Sequence, residues 1–103
     1  MKFVCSKESI LTEIIYAMSF TSQKNALSIT SNVCLQAKGS TLMIKAPDLR
    51  VGFSTEIPVE VHEEGRILVS CTKLLEILRS LPEVDVEFFS NNGTFSIKPL
   101  GQG

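Results

Sequence analysis

The stretch RILVSCTKLLEILRSLP, residues 66–82, contains a strand, a helix and the signals that separate them. Arg66 to Val69 is a short run suited to a strand. Ser70 offers a hydroxyl to the unpaired N–H groups of a helical first turn. From Cys71 to Leu81 the side chains of Leu74, Leu75, Ile77, Leu78 and Leu81 share one face when successive residues are turned by about 100°. Thr72, Lys73, Glu76, Arg79 and Ser80 take the other face. Pro82 stops the helix, because its ring fixes φ and removes the N–H. A helix patterned in this way covers a sheet with its apolar face and leaves its polar face outside.

Working outward from this stretch, the start of the chain has the same grammar. Lys2 to Cys5 suits a strand, Ser6 a hydroxyl cap, and Ile10-Leu11 follow Ser6 at the offset by which Leu74-Leu75 follow Ser70. The spacing predicts a helix over Lys7 to Met18. Ile10, Leu11, Ile14, Ile15, Ala17 and Met18 lie on its apolar face, with Glu8, Thr12, Glu13 and Tyr16 opposite. Ser19 to Ser31 is polar and reads as a long loop. Strands follow at Asn32 to Ala37 and Thr41 to Ala46, joined by a turn at Lys38-Gly39-Ser40. After Pro47-Asp48 the alternation of Val51, Phe53, Thr55 and Ile57 with Arg50, Gly52, Ser54 and Glu56 predicts a strand with one wet face.

Beyond the second helix, Val84, Val86 and Phe88 alternate with Asp85 and Glu87. Asn91-Asn92-Gly93 marks a hairpin, and Thr94 to Lys98 returns as a strand. Thr41-Leu42-Met43-Ile44-Lys45 after Gly39-Ser40 echoes Thr94-Phe95-Ser96-Ile97-Lys98 after Asn92-Gly93. The expected fold is α+β, a duplicated β-α-β-β-β unit with its two helices packed on one face of antiparallel sheets. The units run over about 1–61 and 62–103 of one domain, with the last strand of the second missing. Any α+β chain can produce such echoes, so an unduplicated core stays open as the alternative.

At 103 residues, with 44% hydrophobic and 20% charged residues, the chain fits one ordinary globular domain. It has no apolar run long enough to span a bilayer. Met1-Lys2-Phe3-Val4-Cys5 turns polar at once, unlike a secretory signal, so a cytoplasmic location and no membrane partner are expected. Cys5, Cys34 and Cys71 are odd in number and widely spaced, which suits buried apolar roles better than a disulfide framework or a metal site. The net charge of −1 does not advertise a nucleic-acid binder, but the distribution is uneven: residues 1–52 hold six Lys or Arg against three Asp or Glu, residues 53–103 four against eight. His62, the single histidine, lies in Val61-His62-Glu63-Glu64-Gly65, expected as a polar turn. With no nucleophile elbow, phosphate loop, dinucleotide loop or zinc spacing beside it, no catalytic residue, metal or cofactor is expected. A cysteine hydrolase is the enzymatic alternative. A small α+β module binding another protein along a sheet edge is the non-enzymatic one.

The ordered set of segments resembles the bacterial DNA polymerase III β sliding clamps. The opening Met1-Lys2-Phe3 and its helix carry the likeness, with Leu27-x-Ile29 and Ser31-Asn32-Val33-x-Leu35. So do the run from Thr41-Leu42 to Asp48-Leu49, with Pro47 where the family usually has Thr, and Leu68-Val69 leading through Lys73-Leu74-Leu75 to Leu81-Pro82. The resemblance implies the DNA clamp fold and the first of three domains. It implies a subunit that pairs head to tail in a homodimeric ring around duplex DNA and serves as a processivity factor, a non-catalytic subunit of a DNA-directed DNA polymerase. Its implied partners, met through the full-length protein, are the DNA, the replicative polymerase and the clamp loader. A closed ring cannot leave a duplex sideways, so weak, sequence-blind phosphate contacts suffice. In the family a basic residue in the loop after the first helix reaches the DNA. Lys24 occupies that position, with Gln23 as its polar neighbour. Lys73 matches a basic position of the second helix, Thr72 stands where the family can have Arg, and Arg79 shares the face that would look into the hole. Each of these cations is otherwise an ordinary solvated side chain. The family's main pocket for partner peptides lies between its second and third domains and is not expected here. An isolated fragment is expected to be monomeric or to associate through an unpaired edge.

Overall fold

The computed structural model describes residues 1–21, 32–45 and 54–101. The elements in order are β1 (Lys2–Ser6), α1 (Lys7–Thr21), β2 (Asn32–Lys38), β3 (Thr41–Lys45), β4 (Ser54–Pro58), β5 (Glu60–Glu63), β6 (Gly65–Ser70), α2 (Cys71–Arg79), β7 (Asp85–Asn91) and β8 (Thr94–Pro99). Two antiparallel four-stranded sheets result, in the orders β5-β1-β7-β8 and β4-β3-β2-β6. Each sheet combines strands from both halves of the chain, and α1 and α2 pack together over them.

The duplication is visible in the registers. In the first sheet β1 meets β7 with Phe3 opposite Phe88, and Phe88 faces Ile97 of β8. In the second, β6 meets β2 with Ile67 opposite Leu35, and Leu35 faces Ile44 of β3. The shift that carries Ser6 to Ser70 carries Phe3 to Ile67, and the shift that carries Thr41 to Thr94 carries Leu35 to Phe88 and Ile44 to Ile97. Two copies of one strand-helix-hairpin motif therefore exchange their first strands.

Inward-facing residues alternate along every long strand, as a half-buried pleat requires. Phe3, Val33, Leu35, Leu42, Ile44, Val86 and Phe88 form a common core with Ile10 and Ile14 of α1 and Leu74 and Leu78 of α2. Phe88 stacks against Phe3 at 5.0 Å between ring centroids and against Phe95 at 5.3 Å. The β7–β8 turn places Asn92 at φ 53° and Gly93 at φ 85°. That pair of left-handed residues matches a two-residue hairpin to the twist of its strands.

Three expectations need correction. The segment expected as a polar turn around His62 is β5, an edge strand that pairs with β1 through Phe3–Val61 and Val4–Glu60. Ile15, placed by periodicity on the apolar face of α1, is 44% exposed. The second helix ends at Arg79 with Ser80 as its cap, two residues before Leu81. The expected features at 22–31 and 46–53, among them Leu27, Ile29, Pro47-Asp48, Val51 and Phe53, lie outside the described residues.

The chain passes from one sheet to the other at Val59. This residue is 8% exposed, sits between β4 and β5, and donates its N–H to the Ser40 carbonyl at 3.0 Å. Pro58, just before it, has no N–H to give to the ladder.

Candidate nucleic-acid interface

The two helices begin in the same way. Ser6 Oγ accepts the Ser9 N–H at 3.1 Å, and Ser70 Oγ accepts the Lys73 N–H at 3.2 Å. Each bond satisfies one of the donors that a helix N-terminus leaves unpaired, so both helices start directly from a strand end. Helix α2 closes with the Ser80 N–H and hydroxyl both directed at the Ile77 carbonyl.

Burial of Cys71, Leu74 and Leu78 fixes which side of α2 faces the core. Thr72, Lys73, Glu76, Arg79 and Ser80 are left exposed on the opposite side. Lys73 and Arg79 have no ion-pair partner among the described residues, so their charges are available to a polyanion. On α1, burial of Lys7, Ile10, Ile14 and Ala17 leaves Glu8, Thr12, Ile15 and Tyr16 outside. The polar surface of the helical layer is therefore uneven, with its cations on α2 and an exposed carboxylate on α1.

The structure thus brings Lys73 and Arg79 onto one exposed helical surface. Gln23 and Lys24 lie outside the described residues. Two features escaped the reading of the sequence. Lys7 is buried and reaches the segment after α2. His62 Nε2 lies 2.9 Å from Glu60 Oε2 on the exposed side of β5. Only a non-local strand pairing could have revealed the second. The first has a local signal in hindsight, because Lys7 sits one residue after a cap, inside the apolar row defined by Ile10 and Ile14.

Cys5 and Cys71 show the chemistry of buried apolar groups, while Cys34 is half-buried. Burial pushes the Cys5 thiol up to about 12, with the Asp85 carboxylate adding to the effect, and pushes Cys71 up to about 11. Both are neutral thiols at neutral pH and weak nucleophiles. Among the described residues no group of three or more His, Cys, Asp or Glu could hold a metal ion, and no helix is long and apolar enough to cross a membrane.

Comparison with known proteins agrees with this architecture. The beta sliding clamp of Treponema pallidum is 45% identical over 87 residues, covering 84% of this chain and 24% of the relative. The structure of Caulobacter crescentus pol III beta superposes with a TM-score of 0.77 at 27% identity, over 95% of this chain and 27% of that one. The Helicobacter pylori beta clamp bound to a DNA ligase peptide shares the fold, with a TM-score of 0.79 at 24% identity. This chain spans about a quarter of the length of these relatives. Its residues 1–102 match the N-terminal domain of the DNA polymerase III beta subunit, and the chain belongs to that family.

Proposed function

We propose that the chain is the first domain of a ring-shaped processivity factor that encircles duplex DNA, slides along it and tethers the replicative polymerase. The observation that carries this reading is the family match over residues 1–102. Lys73 and Arg79, exposed on the helical layer and without an ion-pair partner among the described residues, support it. Few and weak phosphate contacts suit a topologically closed ring, which depends on sliding rather than on tight local binding. The role is non-catalytic, needs no cofactor and belongs in the cytoplasm. The clamp loader and polymerase are met through the full-length protein, as is the head-to-tail homodimer.

Within the DNA-facing surface we assign Lys24 and its neighbour Gln23, together with Lys73 and Arg79. The test is Lys24→Ala in the full-length protein. Loading onto nicked circular DNA is expected to weaken at moderate salt while the circular dichroism spectrum stays the same. Unchanged loading, with the fold intact, removes Lys24 from the surface.

The unit boundaries at about 61/62 and a further strand in the second unit belong to the same reading. Burial supports the further strand. Leu42 and Ile44 are fully buried because β4 flanks β3, whereas their counterparts Phe95 and Ile97 on β8 are half-exposed. Phe3 is fully buried beside β5, whereas its counterpart Ile67 on β6 is half-exposed. Phe95, Ile97 and Ile67 thus lie on β8 and β6, two of the four edge strands among the described residues, where their counterparts in the other copy have a flanking strand. Following chain that pairs with these edges would complete the symmetry and remove an aggregation hazard.

A further inference from the structure

Lys7 is placed against two local rules. It is the first residue of α1, where the free N–H groups already make a positive end that disfavours a cation. It is also only 6% exposed, which is costly for a charge without partners. Its counterpart under the internal repeat, Cys71, obeys both rules as a fully buried neutral thiol.

The compensation comes from the other half of the chain. Lys7 Nζ donates to the Leu81 carbonyl at 2.6 Å and lies 3.4 Å from Glu83 Oε2. The Lys7 backbone N–H, one of the unpaired donors of α1, goes to the Val84 carbonyl at 3.2 Å. Leu81 lies just past the end of α2, where the helix dipole is negative and a cation is favoured. Lys7 is thus at the wrong end of its own helix and the right end of the other. The two bonds reach residues 81 and 84, so the segment between α2 and β7 is held from both ends. The Glu83 contact is largely solvated, with the carboxylate side chain 76% exposed, and contributes little.

We infer that Lys7 is a positioning residue that fixes the C-terminal end of α2, and with it the exposed row carrying Lys73 and Arg79, against α1. The consequence for DNA rests on the function proposed above; the clamp on α2 does not.

Hydrogen exchange on the full-length protein separates the two. Lys7→Met keeps the aliphatic stem and removes the ammonium. Loss of a charge-assisted bond is expected to speed exchange of the Leu81 and Val84 amides by about tenfold or more, with the β2 and β3 amides unchanged. Lys7→Arg restores protection, and Glu83→Gln has little effect. If Lys7→Met leaves exchange over residues 80–84 unaltered, or raises it equally across both sheets, the positioning role is overturned. In the same proteins, Lys7→Met and Arg79→Ala are each expected to weaken retention on circular DNA, and to do so less than additively when combined. If exchange behaves as expected but neither Arg79→Ala nor Lys7→Met alters retention, the clamp stands and the DNA-facing assignment of α2 fails.

Discussion

The two sheets are built on one plan from different materials. In the first, the central cross-strand row is Phe3–Phe88–Ile97, extended by the stacked ring of Phe95. In the second, the equivalent row is Ile67–Leu35–Ile44. Backbone register and helix capping are conserved between the halves, while side-chain shape is free to change as long as each row fills its own space. The polar surfaces diverge more, because nothing in the core constrains them. Where helix α2 carries Lys73 and Arg79, α1 carries Ser9 and Ile15, and where α1 carries Glu8, α2 carries Thr72. Packing therefore preserves the duplication, while the exposed faces of its two copies are left free to differ in charge.

The largest expected effect tests equivalence in the core. Ile10 and Leu74 occupy matching helix positions and are 1% and 0% exposed. Truncating either to Ala should cost about 2–5 kcal/mol by urea denaturation. Similar losses sharpen the comparison, and a loss at one site with none at the other breaks it.

Next comes the alkaline limit. The Cys71 thiol ionises near its usual 9.0 when unfolded and only near 11 when folded. Its contribution to stability is complete below pH 9 and is lost as pH rises from there towards 11, because the unfolded chain releases the proton first. Denaturation midpoints should fall across this window, and Cys71→Ala should make the fall shallower, the remainder coming from the Cys5 thiol, which is raised further, to about 12. At neutral pH the half-buried Cys34 should be alkylated well before Cys5 or Cys71, as peptide mass mapping would show.

Smaller again are the caps. Ser6→Ala and Ser70→Ala should each cost about 1 kcal/mol. A much larger cost at Ser6 would mean that the Ser6–Ser9 hydroxyl pair, bonded at 3.0 Å, adds something Ser70 lacks. The smallest effect concerns exposed charge. In the full-length protein, Lys73→Gln should lower the salt slope of DNA binding by about one. Glu8→Gln should change it little, and equal responses would erase the distinction drawn between the helices.

Most of the architecture was legible in local chemistry. Ser6 and Ser70 announced helix starts, the leucines of α2 its buried face, and Asn92-Gly93 a hairpin. The errors have physical causes. β5 has one apolar residue, Val61, among Glu60, His62 and Glu63, so it carries no periodic signal and exists through its pairing with β1. Ile15 lies about 100° round the helix from Ile14, beyond the stripe that Ile10, Ile14 and Ala17 already fill. Lys7 defeated the reading because the partners that make its burial tolerable are 74 residues away. Of the candidate site, Lys73 and Arg79 could be read from the helical wheel, whereas Lys24 and Gln23 rest on family position alone.

Val59 has a mechanical consequence. Layered folds usually hold their sheets together by side-chain adhesion, which a force normal to the layers can peel apart. Here such a force meets a covalent joint, since the strands on either side of Val59 belong to different sheets and its amide is tied to Ser40. Delamination at this corner would require unzipping β4 or β5 along its length, so the domain should yield at its open edges well before its layers separate.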